Sequence, residues 1–251
     1  MRAIFIPLVL MANIAGAQTP ARVILAIGAH AGDVELTSGQ VLIHQQRAGD
    51  RVVVLHLTAG EGGNPKMSPV AYGEQKRKEA AAAAKVIGAE LIWAPYLDGQ
   101  IPDDDATRTY VADVIRQVKP THIITHWKRS IHKDHARTHA IVVDAVLLAV
   151  LEGVKTDHPP HRGVRGIYFA ENWEDAEGFR PYLYVDVSDA RDAWLEAIRS
   201  YEFVRGGISS FSYQSYYDAL ALVRGAEARK TRAVAFDIDE SGKKRILDAI
   251  P

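Results

Sequence analysis

The 251-residue chain contains no cysteine, which excludes disulfides, thiolate metal sites and a cysteine nucleophile. Any metal must therefore be held by histidine and carboxylate groups. An excess of one charge is also absent: 30 Lys and Arg face 31 Asp and Glu, leaving a formal charge of −1. That balance suits neither a basic surface for nucleic acid nor an acidic disordered tail. No G-x-G-x-x-G follows the first predicted strand, and neither a G-x-S-x-G elbow nor a P-loop occurs. Dinucleotide, serine-hydrolase and P-loop chemistry are disfavoured accordingly. What is present is an ordinary globular mixture, 47% apolar and 24% charged, long enough for one α/β domain.

The N-terminus reads as a leader rather than as part of the fold. Arg2 precedes an apolar stretch, Ala3 to Met11, followed by Ala15-Gly16-Ala17. The stretch is too short to span a bilayer and ends in an A-x-A cleavage pattern. Pro7 within it argues against a buried strand. The expectation is a signal peptide over 1–17, a mature start at Gln18 and a single domain over 18–251. With no cysteine for a lipid anchor, the mature product is expected to be secreted or periplasmic, without a stable membrane anchor.

Beyond that point strand-like and helix-like segments alternate. Continuous β-branched runs at Arg22 to Ala29 and Arg51 to Leu57 predict strands buried on both faces, as does the shorter run at Thr121 to His126. Further strands are predicted at Glu90 to Ala94, Gly166 to Ala170 and Tyr182 to Val187. Helices are predicted at Leu36 to Arg47, Glu74 to Ile87, Asp105 to Val118, Ala136 to Leu151 and Asp189 to Phe203, with a long loop over Gly60 to Gly73. The remainder has no regular pattern. Such alternation means βαβ units and a mainly parallel sheet with helices on both faces. Right-handed crossovers bring every strand-to-helix loop to one edge, where ligands bind.

Two segments at that edge carry metal-ligand residue types. His30-Ala31-Gly32-Asp33-Val34-Glu35 follows the first strand, and His132-Lys133-Asp134-His135 follows the fourth. Convergence of His30, Asp33 and His135 would give two imidazoles and a carboxylate with a coordination position left open, the pattern of a catalytic zinc site. Fe(II) accepts the same donors. The pair His158 and His161, in a Pro-rich turn, reads as an ordinary solvated pair.

These two segments resemble the signatures of the LmbE-like (PIG-L) de-N-acetylase family. The resemblance extends to Gly60-Glu61, to Glu79-Ala80 through Ile87-Gly88, and to Asp98-Gly99. It covers Arg22 to Val150 and is faint afterwards. It implies a Rossmann-like α/β sandwich and a zinc-dependent hydrolase that deacetylates an N-acetylated sugar or related small-molecule amide. Some relatives form homo-oligomers. By the resemblance, His30, Asp33 and His135 are the zinc ligands, His132 stabilises the oxyanion or protonates the leaving amine, and Asp134 orients a histidine.

The chain departs from the family pattern at one chemical position. Where the family reads His-Pro-Asp-Asp, with its first Asp as general base, this sequence has Ala31 and Gly32 in place of Pro and that Asp. A general base is worth about 10²- to 10⁴-fold in rate. Glu61 and Glu35 are the candidate replacements, Glu61 the stronger; the alternative is a site that binds metal and ligand without turnover. Lys76 stands near the family's usual Arg, beside Arg77. Both are candidates for substrate binding, or equally for solvated residues in the first turns of a helix. The aromatic residues Phe211, Tyr213, Tyr216 and Tyr217 fit helical core packing better than a sugar platform.

Overall fold

A computed structural model describes residues 22–174 and 177–244; the expected leader lies outside the described residues. Seven strands form one sheet in the order β3-β2-β1-β4-β5-β7-β6. They are β1 (Val23–His30), β2 (Arg51–Thr58), β3 (Glu90–Trp93), β4 (His122–His126), β5 (Gly166–Ala170), β6 (Leu183–Asp186) and β7 (Ala233–Asp237). The first five pair in parallel, as their unbroken apolar sequences predict. β7 lies antiparallel between β5 and β6, so the sheet is mixed at that edge.

Successive β1 side chains enter opposite cores. Ile24 and Ala26 pack with α2 (Gly39–Arg47), α3 (Pro69–Ile87) and α6 (Arg191–Ile198). Leu25, Ile27 and Ala29 pack with α4 (Asp105–Val118) and α5 (Lys133–Val150). The two-residue period of a strand thus places helices on both faces of the sheet. Among the described residues no helix is long and apolar enough to cross a membrane.

Several elements differ from the sequence expectation, among them the helix expected over Asp189 to Phe203, which ends at Ile198. The single helix predicted over Leu36 to Arg47 is two, α1 (Asp33–Thr37) and α2, separated at Ser38. Trp194 Nε1 donates to the Glu35 carbonyl at 2.9 Å, taking the acceptor that a continuous helix would offer to the Gly39 N–H. Helix α3 begins at Pro69, within the predicted loop, because the Ser68 side chain caps it and proline suits its first turn. The unpatterned C-terminal region contains α7 (Tyr213–Ala228) and β7.

The chain runs outward from β1 to β2 and β3, then returns to β4 on the other side of β1. This reversal opens a crevice beyond the carboxyl ends of β1 and β4.

Candidate metal centre and its pocket

β1 ends at His30, and Asp33 opens α1 two residues after Ala31. Gly32 makes the turn between them at φ 106°, a conformation that only glycine adopts readily. Buried Glu35 holds this turn from beneath. Its Oε2 accepts the Gly32 N–H at 3.1 Å and its Oε1 accepts the Tyr201 hydroxyl at 2.6 Å. The same Oε1 lies 3.2 Å from His56 Nε2. Across the crevice His132 caps α5, which places His135 in the first turn of that helix.

The crevice brings His30, Asp33 and His135 together. His30 Nδ1 lies 3.2 Å from Asp33 Oδ2 and 3.2 Å from His135 Nε2. Asp33 Oδ2 lies 3.4 Å from His135 Nε2. Donors bound at about 2.0–2.1 Å to one tetrahedral zinc lie about 3.3 Å apart. The three atoms therefore form a nearly equilateral face that fits such an ion.

A second layer of carboxylates backs His30. Its Nε2 is 3.0 Å from Asp98 Oδ1 and 3.5 Å from Asp134 Oδ2. Both carboxylates face this ring nitrogen and favour its protonated form. Asp134 is wholly buried and also accepts the Gly99 N–H at 2.7 Å, while Asp98 accepts the Gly62 N–H at 3.1 Å. Burial alone would lower the pKa of His30, but Asp33, Asp134 and Asp98 outweigh it and hold that pKa well above its ordinary value. For Asp33, burial acts to raise the pKa, and the neighbouring His135 and His30 instead bring it well below the carboxylate range. Carboxylates concentrated around imidazoles are the electrostatic setting of a cation site.

Two other histidines flank the triad. His126, at the end of β4, accepts the Ala29 N–H on Nε2 at 2.9 Å. That bond occupies the lone pair a ligand would need, although Asp33 Oδ2 is only 3.3 Å away. Burial, reinforced by His135, pushes the His126 pKa down to about 4; the neutral ring stacks on His135 at 4.3 Å and forms a floor beneath it. His132 accepts the Asp134 N–H on Nδ1 at 3.3 Å, which leaves its proton on Nε2. Its ring lies 4.6 Å from that of His30 and lines the pocket.

The remaining predicted site residues are distributed as follows. Lys76 lines the pocket; its Nζ donates to the Ala31 carbonyl at 2.5 Å and sits 4.1 Å over the Phe203 ring and 4.7 Å over Tyr201. Burial lowers its pKa to about 8, against the opposing pull of Asp33 and Glu35. Arg77 is exposed and stacks on Trp93 at 4.3 Å, away from the pocket lining. Glu61 is absent from the lining, and its Oε1 accepts the Asp98 N–H at 2.7 Å. Glu35 is likewise committed beneath the turn. Neither glutamate is among the residues lining the pocket. A side chain at residue 32 would force the Phe203 ring to shift, since its Cβ would lie 2.7 Å from Phe203 Cζ and 3.5 Å from Lys76 Nζ, and it would be strained at this φ.

The opposite wall of the pocket comes from Asn172, Trp173, Glu174, Phe203, Tyr213 and Tyr217. Tyr217 donates to Asn172 Oδ1 at 2.8 Å, and Trp173 stacks on Phe211 at 4.2 Å. Part of the aromatic stretch therefore faces the pocket, while Tyr217 is also in the core. No periodicity or motif marks Asn172, Trp173 or Glu174 in the sequence. His158 and His161 act as loop staples: His158 pairs with Asp113 at 3.1 Å and His161 bonds the Pro120 carbonyl at 2.8 Å.

Residues 25–146 match the family PIG-L, GlcNAc-PI de-N-acetylase. The 4-oxalmesaconate hydratase of Pseudomonas putida is 25% identical over 223 residues, covering 84% of this chain and 83% of the relative. A 1D-myo-inositol 2-acetamido-2-deoxy-alpha-D-glucopyranoside deacetylase of Kineococcus radiotolerans is 26% identical over 170 residues, 53% of this chain and 46% of that protein. In fold, the chain matches the N,N'-diacetylchitobiose deacetylase of Pyrococcus horikoshii with a TM-score of 0.78 at 19% identity, covering 91% of this chain and 88% of the other.

Proposed function

From a chain whose residues 25–146 belong to the PIG-L (LmbE-like) family, we propose a zinc-dependent hydrolase that removes an acetyl group from an N-acetylated sugar or related small amide outside the cytoplasm. The observation that carries this reading is the donor triangle of His30, Asp33 and His135, with edges of 3.2, 3.2 and 3.4 Å. The deacetylase relatives support the reaction type. The leader-like residues 1–17 support the location. Fe(II) would suit the same donors.

A bound divalent cation supplies Lewis acidity, polarising an acyl oxygen and acidifying water. The protein's own groups do the rest. Asp98 and Asp134 fix the His30 ring so that Nδ1 faces the centre. Glu35 holds the Gly32 turn that separates His30 from Asp33. His132, with its proton on Nε2, donates to the developing oxyanion or to the departing amine. The Trp173 and Tyr213 rings offer flat apolar surface to a sugar face.

A second reading is hydration of a carbon–carbon double bond. It is favoured by Gly32, which provides no carboxylate base, and by the hydratase relative aligned over most of the chain. Purified protein loaded with zinc should be assayed for acetate release from N-acetylglucosamine conjugates. In parallel, loss of ultraviolet absorbance from a conjugated unsaturated oxo acid would report hydration. Acetate release that disappears in His135→Ala upholds the hydrolase. Hydration without release selects the second reading. Full zinc occupancy with neither activity identifies a binding protein descended from such enzymes.

A further inference from the structure

Among the described residues lining the metal pocket, Lys76 is the one lysine or arginine. It is 4% exposed, and its ammonium spends one N–H on the Ala31 carbonyl while the rings of Tyr201 and Phe203 lie against it. No carboxylate among the described residues is within ion-pair distance of Nζ. Four acids surround it without a direct contact: Asp33 and Asp98 face His30, Glu35 is bonded to Tyr201, and Glu79 Oε1 accepts from Gln75 Nε2 and the Glu202 N–H. A buried cation without a direct ion pair is costly, and aromatic faces and more distant acids offset that cost only in part. Methionine, of similar length, would pack against the same rings with no such cost. Since no side chain among the described residues supplies the direct pair, a group entering the pocket is placed to complete it.

We infer that Lys76 recognises a carboxylate carried by the substrate, next to the group that reacts at the triangle of His30, Asp33 and His135. The placement follows from the turn: Nζ lies 3.5 Å from the point where a residue-32 side chain would begin, between His30 and Asp33. The ligand group should carry a single negative charge. Asp33, Asp98 and Glu174 line the same pocket, so a dianion such as a phosphate monoester would meet more repulsion than one ammonium relieves. The inference takes the location of the reaction from the proposed function, but it holds for hydrolysis and hydration alike.

The test compares N-acetylglycine with N-acetylglycinamide, which differ in the charge of one terminus. Dissociation constants are measured by NMR titration on metal-free and zinc-loaded protein; the metal-free measurement is needed because zinc itself attracts carboxylates. Wild type should bind the acid at least about tenfold more tightly than the amide in the metal-free form. Lys76→Met should bring the ratio close to one, and Lys76→Arg should retain part of it. As a readout that needs no variant, the acid and not the amide should slow reductive methylation of Lys76, followed by peptide mass spectrometry. Equal binding of the two probes by wild type, binding of neither, or an unchanged ratio in Lys76→Met overturns the inference. Zinc uptake is measured separately. A protein that takes up no zinc but keeps the Lys76-dependent preference would sink the metal reading and leave this inference intact.

Discussion

The Phe203 ring occupies the space above Gly32, with Cζ 2.7 Å from where a β-carbon would lie. The space that a β-carbon at residue 32 would enter is thus taken by an aromatic ring. Restoring the carboxylate is expected to fail. Gly32→Asp or Gly32→Ala should destabilise the protein by about 2–4 kcal/mol, combining backbone strain with overpacking. Urea unfolding measures this; a neutral effect would show that the turn and ring move apart readily.

Asp98 orients His30 from outside the donor triangle. Asp98→Asn should weaken zinc affinity by about 10- to 100-fold with the fold intact, as for other outer carboxylates. Competition with a chromophoric chelator reads the change. Affinity equal to wild type would assign Asp98 to ordering the Gly62 loop alone.

His132 both caps α5 and offers an Nε2 proton to the pocket. His132→Asn keeps a capping side chain and removes the imidazole. Turnover should fall by about 10²- to 10⁴-fold while zinc content stays at wild-type level. Loss of zinc together with turnover would instead make His132 a ligand, an arrangement its 4.6 Å ring separation from His30 permits.

Burial lowers the folded-state pKa of Lys76 to about 8, against about 10.4 in an unfolded chain. Between those values the unfolded chain holds a proton that the folded chain does not. Stability of the metal-free protein should therefore rise as pH goes from 8 towards 10. At pH 7 both states are protonated and the burial penalty is undiminished. Lys76→Met should flatten the profile and stabilise the protein at pH 7 by up to about 3 kcal/mol. A profile with the same slope in the variant would assign the rise to other groups.

The sheet was legible because strong local signals mark it, and the nearness of His30, Asp33 and His135 was legible from sheet-edge placement together with the family resemblance. Unbroken β-branched runs can be buried only on two faces, and parallel connections bring the loops after β1 and β4 to one edge. Gly32 could be recognised as a departure, but what fills its place could not. Phe203 and Lys76 approach from segments whose distance to residue 32 is set by tertiary packing. The break at Ser38 escaped for the same reason, since its cause is Trp194, far along the chain. α3's early start was readable from Ser68-Pro69, a capping pair that lay inside a stretch otherwise rich in loop residues. β7 and α7 carry weaker patterns, and antiparallel insertion of β7 beside β5 follows no alternation rule.

His30, Asp33 and His135 all fall within the span shared with the family, which stops at residue 146, whereas Trp173, Phe203 and Tyr213 come after it. Much of the wall facing the triad thus comes from a later stretch of the polypeptide than the triad itself. Exchanging residues beyond 146 for those of a relative would reshape that wall and leave His30, Asp33 and His135 in place.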